Sequence, residues 1–391
     1  MQEWKRLAIE KLVYGGWGLA RSDENVIFVA RVIPGEIVDA QQTGMRAHCP
    51  FAEIVRFDRV SPSRIDPPCK YFDSCGGCDW QFMSYDEQVR QKKLIFEECL
   101  RRQGKLASWP EVEVYADKEW AYRIRVQFKV DHDAGAVGFF RRASNQVVDL
   151  ETCPLLVPAL NSILLQRREI ANSLSRDLTE VRCLAGDKFV ASDVAGYLAG
   201  CHAHTTIKVS DKTMRVGGHS FFQSNLFLLE KLGTWAHEDL GGKLCVDLYG
   251  GVGLFSLMHG EKFAQGVLVE CVNNQVTLAK RNFSANRLNN FVAKSMTAEK
   301  YLAAERKQID TLIVDPPRPG LTRRVRLSIA KSKPSQILYI ACNPATQARD
   351  AGYFVNKCGY RIKRAALFDL YPQTHHLESG LLLEYMHPDG G

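Results

Sequence analysis

The chain has 391 residues, of which 46% are hydrophobic and 24% charged, with a formal net charge of +7 and a pI near 8.7. This is globular composition, long enough for two or three cores, and its mild basicity is compatible with a nucleic-acid partner. It excludes a membrane-spanning reading, because no run of about 18 apolar residues occurs. No signal peptide is expected at this start, because MQEWKRLAIEKL carries charge throughout.

From the N-terminus, VIFVARV, EIVDAQQ and FAEIVRF alternate in a β-like way between the turns YGGWG and PGE. Short strands at this spacing predict a small five-stranded barrel of the OB type over residues 1–60. SPSRIDPPC breaks the pattern and opens a central region, 61–215, with CKYFDSCGGC at its start. The thiols of Cys69, Cys75 and Cys78 at short spacing suit either zinc or an iron–sulfur cluster. The remaining cysteines, of 12 in all, are mostly dispersed singly among apolar residues, which argues against a disulfide scaffold. The cytoplasm is the expected compartment.

A helix follows over SYDEQVRQKKLIFEECLRRQGK, with an expected basic face through Arg90, Lys92, Lys93, Arg101 and Arg102. Strands return in YRIRVQFKV, AVGFFRRA and QVVDL. There Arg123, Arg125, Lys129, Arg141 and Arg142 alternate with Phe128, Phe139 and Phe140, a surface able to meet phosphates and bases. From about 216 to 391, apolar strands (KLCVDLYG, GVLVE, DTLIVDPP, QILYIACNP, SGLLLEYM) alternate with helices, which predicts a doubly wound, mostly parallel sheet.

Chemistry-bearing residues cluster at the ends of those strands. The glycine turn after Asp247, DLYGGVG, lets backbone approach a ligand, but it lacks the G-x-G-x-x-G spacing of a dinucleotide site. Glu270 ends the next strand, placed for ribose hydroxyls. A nucleoside-containing cofactor fits this pair. Asp315 tips the strand before the stiff DPPRPG turn. Cys342 ends another strand, with Asn343 as a cap and Pro344 in the first helical turn. The helix dipole should lower its pKa and favour a nucleophilic thiolate. Glu378, just before the last strand, is a candidate general base. His375 and His376 read as surface residues rather than metal ligands.

CKYFDSCGGCDWQ, SFFQSN, DLYGGVG, DPPRPG, ACNPATQARD and HHLES together make the chain resemble the RNA uracil-5-methyltransferases, over nearly its whole length. The resemblance implies an N-terminal TRAM barrel that binds RNA, a central iron–sulfur α+β domain and a C-terminal Rossmann-like methyltransferase domain. It also implies S-adenosylmethionine as methyl donor, with Gln223, Tyr249, Glu270 and Asp315 lining its pocket. Cys342 becomes the nucleophile toward uracil C6, Glu378 the base that removes the C5 proton, and Arg318 a residue that steadies the target nucleotide. Cys69, Cys75, Cys78 and the distant Cys153 become ligands of a [4Fe-4S] cluster that staples the central domain. The barrel together with a cluster favours 23S rRNA over tRNA as the RNA partner, and a monomer acting away from membranes is expected. The sequence departs from the family pattern at Gly250, where Cys is frequent, and at Leu254, where Asn is. Ile124 stands where a polar residue is common and His376 where Gly is usual.

Two other functions compete with this one. An amine-directed methyltransferase would share a DPP-type motif without needing Cys342, and a non-catalytic RNA-binding protein could keep the fold. A radical enzyme is disfavoured, because four cysteine ligands leave no open iron.

Overall fold

The computed structural model describes residues 2–22 and 25–386. The N-terminal alternation resolves into β1 (Glu3–Leu12), β2 (Gly18–Ser22), β3 (Asn25–Val29), β4 (Ile37–Arg46) and β5 (Cys49–Arg59), a closed barrel in the order β1-β2-β3-β5-β4. In β1 two register shifts interrupt the alternation, so that Trp4, Leu7, Ile9 and Leu12 are buried while most of its charged residues face outward. Trp4, Leu7 and Ile9 join Ile27, Val29, Val32 and Val38 in a core separate from the rest of the molecule. Closure leaves no strand edge exposed.

After the barrel come the helix α1 (Tyr85–Arg102) and the short strand β6 (Val112–Tyr115). The basic face expected of α1 is corrected by the structure. Lys92 is fully buried and ion-paired with Asp369 at 2.6 Å. Arg90 is engaged by Glu87, while Arg101 and Arg102 both meet Glu98. The central sheet then forms from β7 (Arg125–Asp131), β8 (Ala136–Phe140) and β9 (Val147–Asp149). After helices α2 (Pro158–Leu165) and α3 (Arg167–Ser173) it is completed by β10 (Glu180–Ala185), β11 (Val190–Ser192) and β12 (Cys201–His202), in the order β12-β11-β10-β7-β8-β9. On β7 the alternation buries Val126, Phe128 and Val130 and turns Arg125, Gln127 and Lys129 to the other face. Phe128 is therefore core and offers no base-stacking surface, unlike Phe140, which is exposed.

A hairpin of β13 (His204–Val209) and β14 (Lys212–Gly217) and the short helix α4 (Leu229–Thr234) lead to the α/β region. It runs β15 (Gly242–Leu248), α5 (Leu254–His259), β16 (Phe263–Glu270), α6 (Asn273–Ala285), β17 (Phe291–Ser295), α7 (Ala298–Ala304), β18 (Thr311–Val314), α8 (Arg323–Ser332), β19 (Gln336–Ala341), α9 (Pro344–Cys358), β20 (Tyr360–Phe368) and β21 (Glu378–Tyr385). These strands and β6 make an eight-stranded sheet, β17-β16-β15-β18-β19-β21-β20-β6. Its first five strands are parallel, β21 is antiparallel to both neighbours, and β6 lies parallel to β20 at the edge. Strand order reverses between β15 and β18, which opens the crevice where such sheets bind ligands. One continuous core joins the central and α/β regions. No helix among the described residues is long and apolar enough to cross a membrane.

Candidate active site

The site is a row of strand ends. Glu270 closes β16, Asp247 is the penultimate residue of β15, Asp315 follows β18 and Cys342 follows β19. Because β21 runs antiparallel, its first residue, Glu378, lies at the same edge. The β19–β21 register reaches Ala341↔Ser379, so the next step brings Cys342 opposite Glu378. Asn343 accepts bonds from the backbone N–H groups of Ala345 and Thr346, capping α9 behind the thiol.

The acids at this edge act on one another. Burial first, and Glu270 second, push the Asp247 carboxyl up to about 7, against hydrogen bonds from Ser256 Oγ (2.6 Å) and Ser256 N (3.2 Å). Asp315, although part of its surface stays open, is likewise raised to about 7 by desolvation and by Asp247. Glu378, only 1% exposed, is pushed well above the usual carboxylate range by burial and by Asp315. The thiol is corrected relative to the helix-dipole expectation. Burial, then Glu378 and Asp315, push Cys342 up to about 12, while Arg318 and a backbone hydrogen bond work the other way. One helix end is worth too little to outweigh desolvation beside two carboxyls.

Four buried acceptors here have no hydrogen-bond partner among the described residues: Gln223 Oε1, Asp247 Oδ1, Gln275 Oε1 and Glu378 Oε1. Orphaned buried acceptors are costly unless a ligand completes them, and this set fits a polar ligand carrying positive charge and hydroxyl donors. Glu270 meanwhile accepts from Gly251 N (3.2 Å) and Val272 N (2.8 Å), holding the glycine turn against the strand end. Tyr249 begins that turn at φ 61°. A Cβ on Gly250 would lie 2.6 Å from Leu268 Cγ, so bulky Leu268 explains why Gly replaces the frequent Cys. Leu254 and Ile124 are buried apolar residues, and their departures serve packing.

The segment between β20 and β21 forms the remaining wall. Lys92 Nζ reaches Asp369 and the Tyr371 carbonyl (3.0 Å), and Tyr122 Oη bonds the Pro372 carbonyl (3.0 Å). His375 and His376 are not the surface pair expected: His375 Nδ1 meets Asp79 Oδ2 at 2.7 Å. His376 is half-buried and held neutral, its pKa driven down to about 3 by desolvation and by His375. The Tyr371 hydroxyl lies within electrostatic range of Glu378, Cys342 and Asp315. Sequence reasoning passed over Tyr371 and Asp247 as site residues, although Asp247 opens the DLYGGVG motif and Tyr371 lies four residues before HHLES.

A cleft of about 480 Å³ opens from Tyr371, Thr374 and His376 across Arg123, Arg125, Lys129, Phe140, Arg141 and Arg142. Beneath it, Cys69, Cys75, Cys78 and Cys153 line a single smaller pocket, all four as free thiols. Arg123, Gly77 and Phe139 border both spaces. Among the described residues, no three His, Cys, Asp or Glu side chains converge on a point suited to one metal ion. The cysteine loop is joined to the catalytic wall: Asp79 N and Trp80 N both donate to the Gln373 carbonyl, and Asp79 also pairs with Arg142 at 2.9 Å.

A family model described as tRNA (Uracil-5-)-methyltransferase matches residues 200–386. An RNA methyltransferase of Aquifex aeolicus described as uncharacterized is 35% identical, covering 97% of this chain and 98% of its own length. The 23S rRNA (uracil(1939)-C(5))-methyltransferase RlmD of Halomonas elongata is 31% identical over 98% of this chain and 90% of that protein. Among solved structures, the tRNA (uracil-54, C5)-methyltransferase of Pyrococcus abyssi, in complex with S-adenosyl-L-homocysteine, shares the fold with a TM-score of 0.74 at 23% identity. The match covers 97% of this chain and all of that one.

Proposed function

Because the chain belongs to the S-adenosylmethionine-dependent RNA (uracil-5-)-methyltransferases, we propose that it methylates C5 of one uridine in 23S rRNA through a covalent bond from Cys342 to C6. The observation that supports this reading is that Cys342 and Glu378 each lie one residue beyond the Ala341–Ser379 pair at the end of β19 and β21, with Glu378 Oε1 buried and unpartnered among the described residues. The rRNA assignment draws on relatives such as the Halomonas enzyme, 31% identical along nearly the whole chain.

S-adenosylmethionine supplies an electrophilic methyl on a cationic sulfonium. Gln223, Tyr249, Glu270 and Asp315 are the residues proposed to hold it. Its positive charge would also draw the raised carboxyls of Asp315 and Asp247 toward ionisation. The basic cleft admits the RNA, and the target base leaves its stack to reach the strand ends. Cys342 releases its proton to solvent water as its sulfur adds to C6. C5 thereby becomes an enolate carbon that takes the methyl group, with S-adenosylhomocysteine leaving. Glu378, in its ionised form, then removes the C5 proton as elimination breaks the S–C6 bond, and the expelled thiolate takes that proton back to restore the thiol. Arg318, exposed beside Cys342, steadies the nucleotide.

Cys69, Cys75, Cys78 and Cys153 are proposed to bind a [4Fe-4S] cluster. Four free thiols lining one pocket are the donor set that supports this reading. Such a group would hold the Asp79 and Trp80 segment against the catalytic wall, a structural duty. Residues 1–60 are proposed as an RNA-binding module, 61–215 as the cluster domain and 216–391 as the catalytic domain.

The deciding experiment maps 5-methyluridine in rRNA and tRNA from a strain lacking the gene. Loss of one 23S position is expected, and loss from tRNA alone would overturn the rRNA assignment. Full methylation by Cys342→Ala would instead point to chemistry without a covalent step.

A further inference from the structure

One turn of the barrel meets the segment that leads to Glu378. Between β1 and β2, Val13–Trp17 is closed by Val13 N donating to the Trp17 carbonyl (2.9 Å) and Gly16 N to the Val13 carbonyl (3.0 Å). Gly15 and Gly16 adopt φ of 99° and 83°, a region that favours glycine. A Cβ on Gly16 would lie 2.8 Å from His375 Cβ and 3.1 Å from Trp80 Nε1. The turn is thus pressed against the segment that leads to Glu378.

Tyr14 rides on this turn, half-buried, and packs with the shared central and catalytic core rather than with the barrel's own. Its hydroxyl lies within electrostatic range of Cys342 and Arg318, and burial raises its pKa, so it remains a proton donor. It makes no hydrogen bond to any described residue. The Arg318 guanidinium is exposed and pairs with no carboxylate among them. Two uncommitted donors therefore stand near the nucleophile, and the acceptor they suit must arrive with the substrate. In a nucleotide, pyrimidine C6 lies over the 5′ side of the ribose. A uridine attacked at C6 accordingly brings its 5′ phosphate toward the groups around the attacking sulfur.

We propose that Tyr14, supplied by the barrel, donates a hydrogen bond beside Arg318 to the 5′ phosphate of the target uridine, so that the barrel completes the catalytic pocket. This rests on the reading of Cys342 as the nucleophile. It makes docking of the barrel turn a condition for base insertion, beyond any contribution to RNA affinity.

The test uses the full-length protein and a synthetic RNA carrying 5-fluorouridine at the methylated position. Fluorine at C5 cannot leave as a proton, so the covalent adduct accumulates on a denaturing gel. Tyr14→Phe, which deletes only the hydroxyl, is expected to slow adduct formation about tenfold, with S-adenosylmethionine binding unchanged and RNA binding within about twofold. Gly16→Val, which pushes the turn from His375, should behave similarly. A methylphosphonate 5′ to the target should slow the parent protein but slow Tyr14→Phe much less, because the two changes remove one shared interaction. Fully multiplicative losses, or an unslowed Tyr14→Phe, would overturn the proposal while leaving the nucleophile in place. Absence of adduct in the parent protein would overturn the covalent reading, and this proposal with it.

Discussion

Cys342 stands one residue beyond Ala341 on β19, and that single step sets it across the ladder from Glu378 at the start of β21. The proposed nucleophile and base therefore both extend from the end of one strand ladder, each one residue from its last pair, Ala341 with Ser379.

The pairing separates two steps that mutation can resolve. Glu378→Gln is expected to keep the addition to C6 and lose proton removal from C5. Turnover should fall about 10²–10⁴-fold, while a methylated RNA–protein adduct builds up on denaturing gels. Cys342→Ala should yield no adduct at all. Equal adduct levels in Glu378→Gln and the parent during turnover would remove Glu378 from the role of base.

Cofactor binding should depend on pH. In the free protein Asp247 and Asp315 are both raised to about 7, so below that pH they are largely protonated. A bound sulfonium favours their ionised forms, so affinity should strengthen as pH rises toward 7 and level off above it. Below the transition, each proton released is worth about tenfold per pH unit. Calorimetry in buffers of differing ionisation enthalpy would count the protons, and Asp247→Asn should flatten the profile. A pH-independent affinity would contradict the arrangement.

Lys92→Met should cost about 3–5 kcal/mol in denaturant unfolding, because it strands Asp369 as a buried charge without its partner. Adding Asp369→Asn should recover part of the loss. Additive losses in the double variant would mean that the pair is not coupled.

The cleft predicts a division among its arginines. Arg141 is exposed and forms no ion pair with a described residue, whereas Arg142 is committed to Asp79 and the Cys78 carbonyl. Arg141→Ala should lower the salt slope of RNA binding by about 1 with stability intact. Arg142→Ala should chiefly loosen the cysteine loop and lower the melting temperature.

Loading of the cysteine pocket is checked by composition. Anaerobically purified protein should contain iron and acid-labile sulfide in equal amounts, and Cys153→Ser should lose both along with thermal stability. Stoichiometric zinc instead would rule out the cluster.

The barrel and the parallel sheet were legible because each rests on a local pattern, the β-like alternation in the stretches that form β3, β4 and β5 and the unbroken apolar runs in β15 and β19. The strand-end residues were legible for a related reason: in a parallel sheet, motifs at successive strand termini must come to one edge. What escaped depends on partners far along the chain. Nothing near Lys92 announces Asp369, nothing in VEVY announces a place beside β20, and the histidines read as surface until Asp79 is brought to them. The thiol expectation failed for an energetic reason. A helix cap is visible in ACNPAT, but desolvation and two neighbouring carboxyls are set by the assembled fold.

The edge strand β6 has a consequence for how the protein comes into being. Its Glu113 bonds Arg364, 251 residues later, so during synthesis β6 emerges long before the strand it must cover. Until β20 is made, the four residues of β6 wait without their neighbour, and closing so long a loop is slow. An excised fragment beginning near residue 216 would expose the bare flank of β20, an invitation to stack with other copies. Expression of the methyltransferase half alone should therefore give aggregates, and supplying residues 85–115 in trans should rescue part of it into solution.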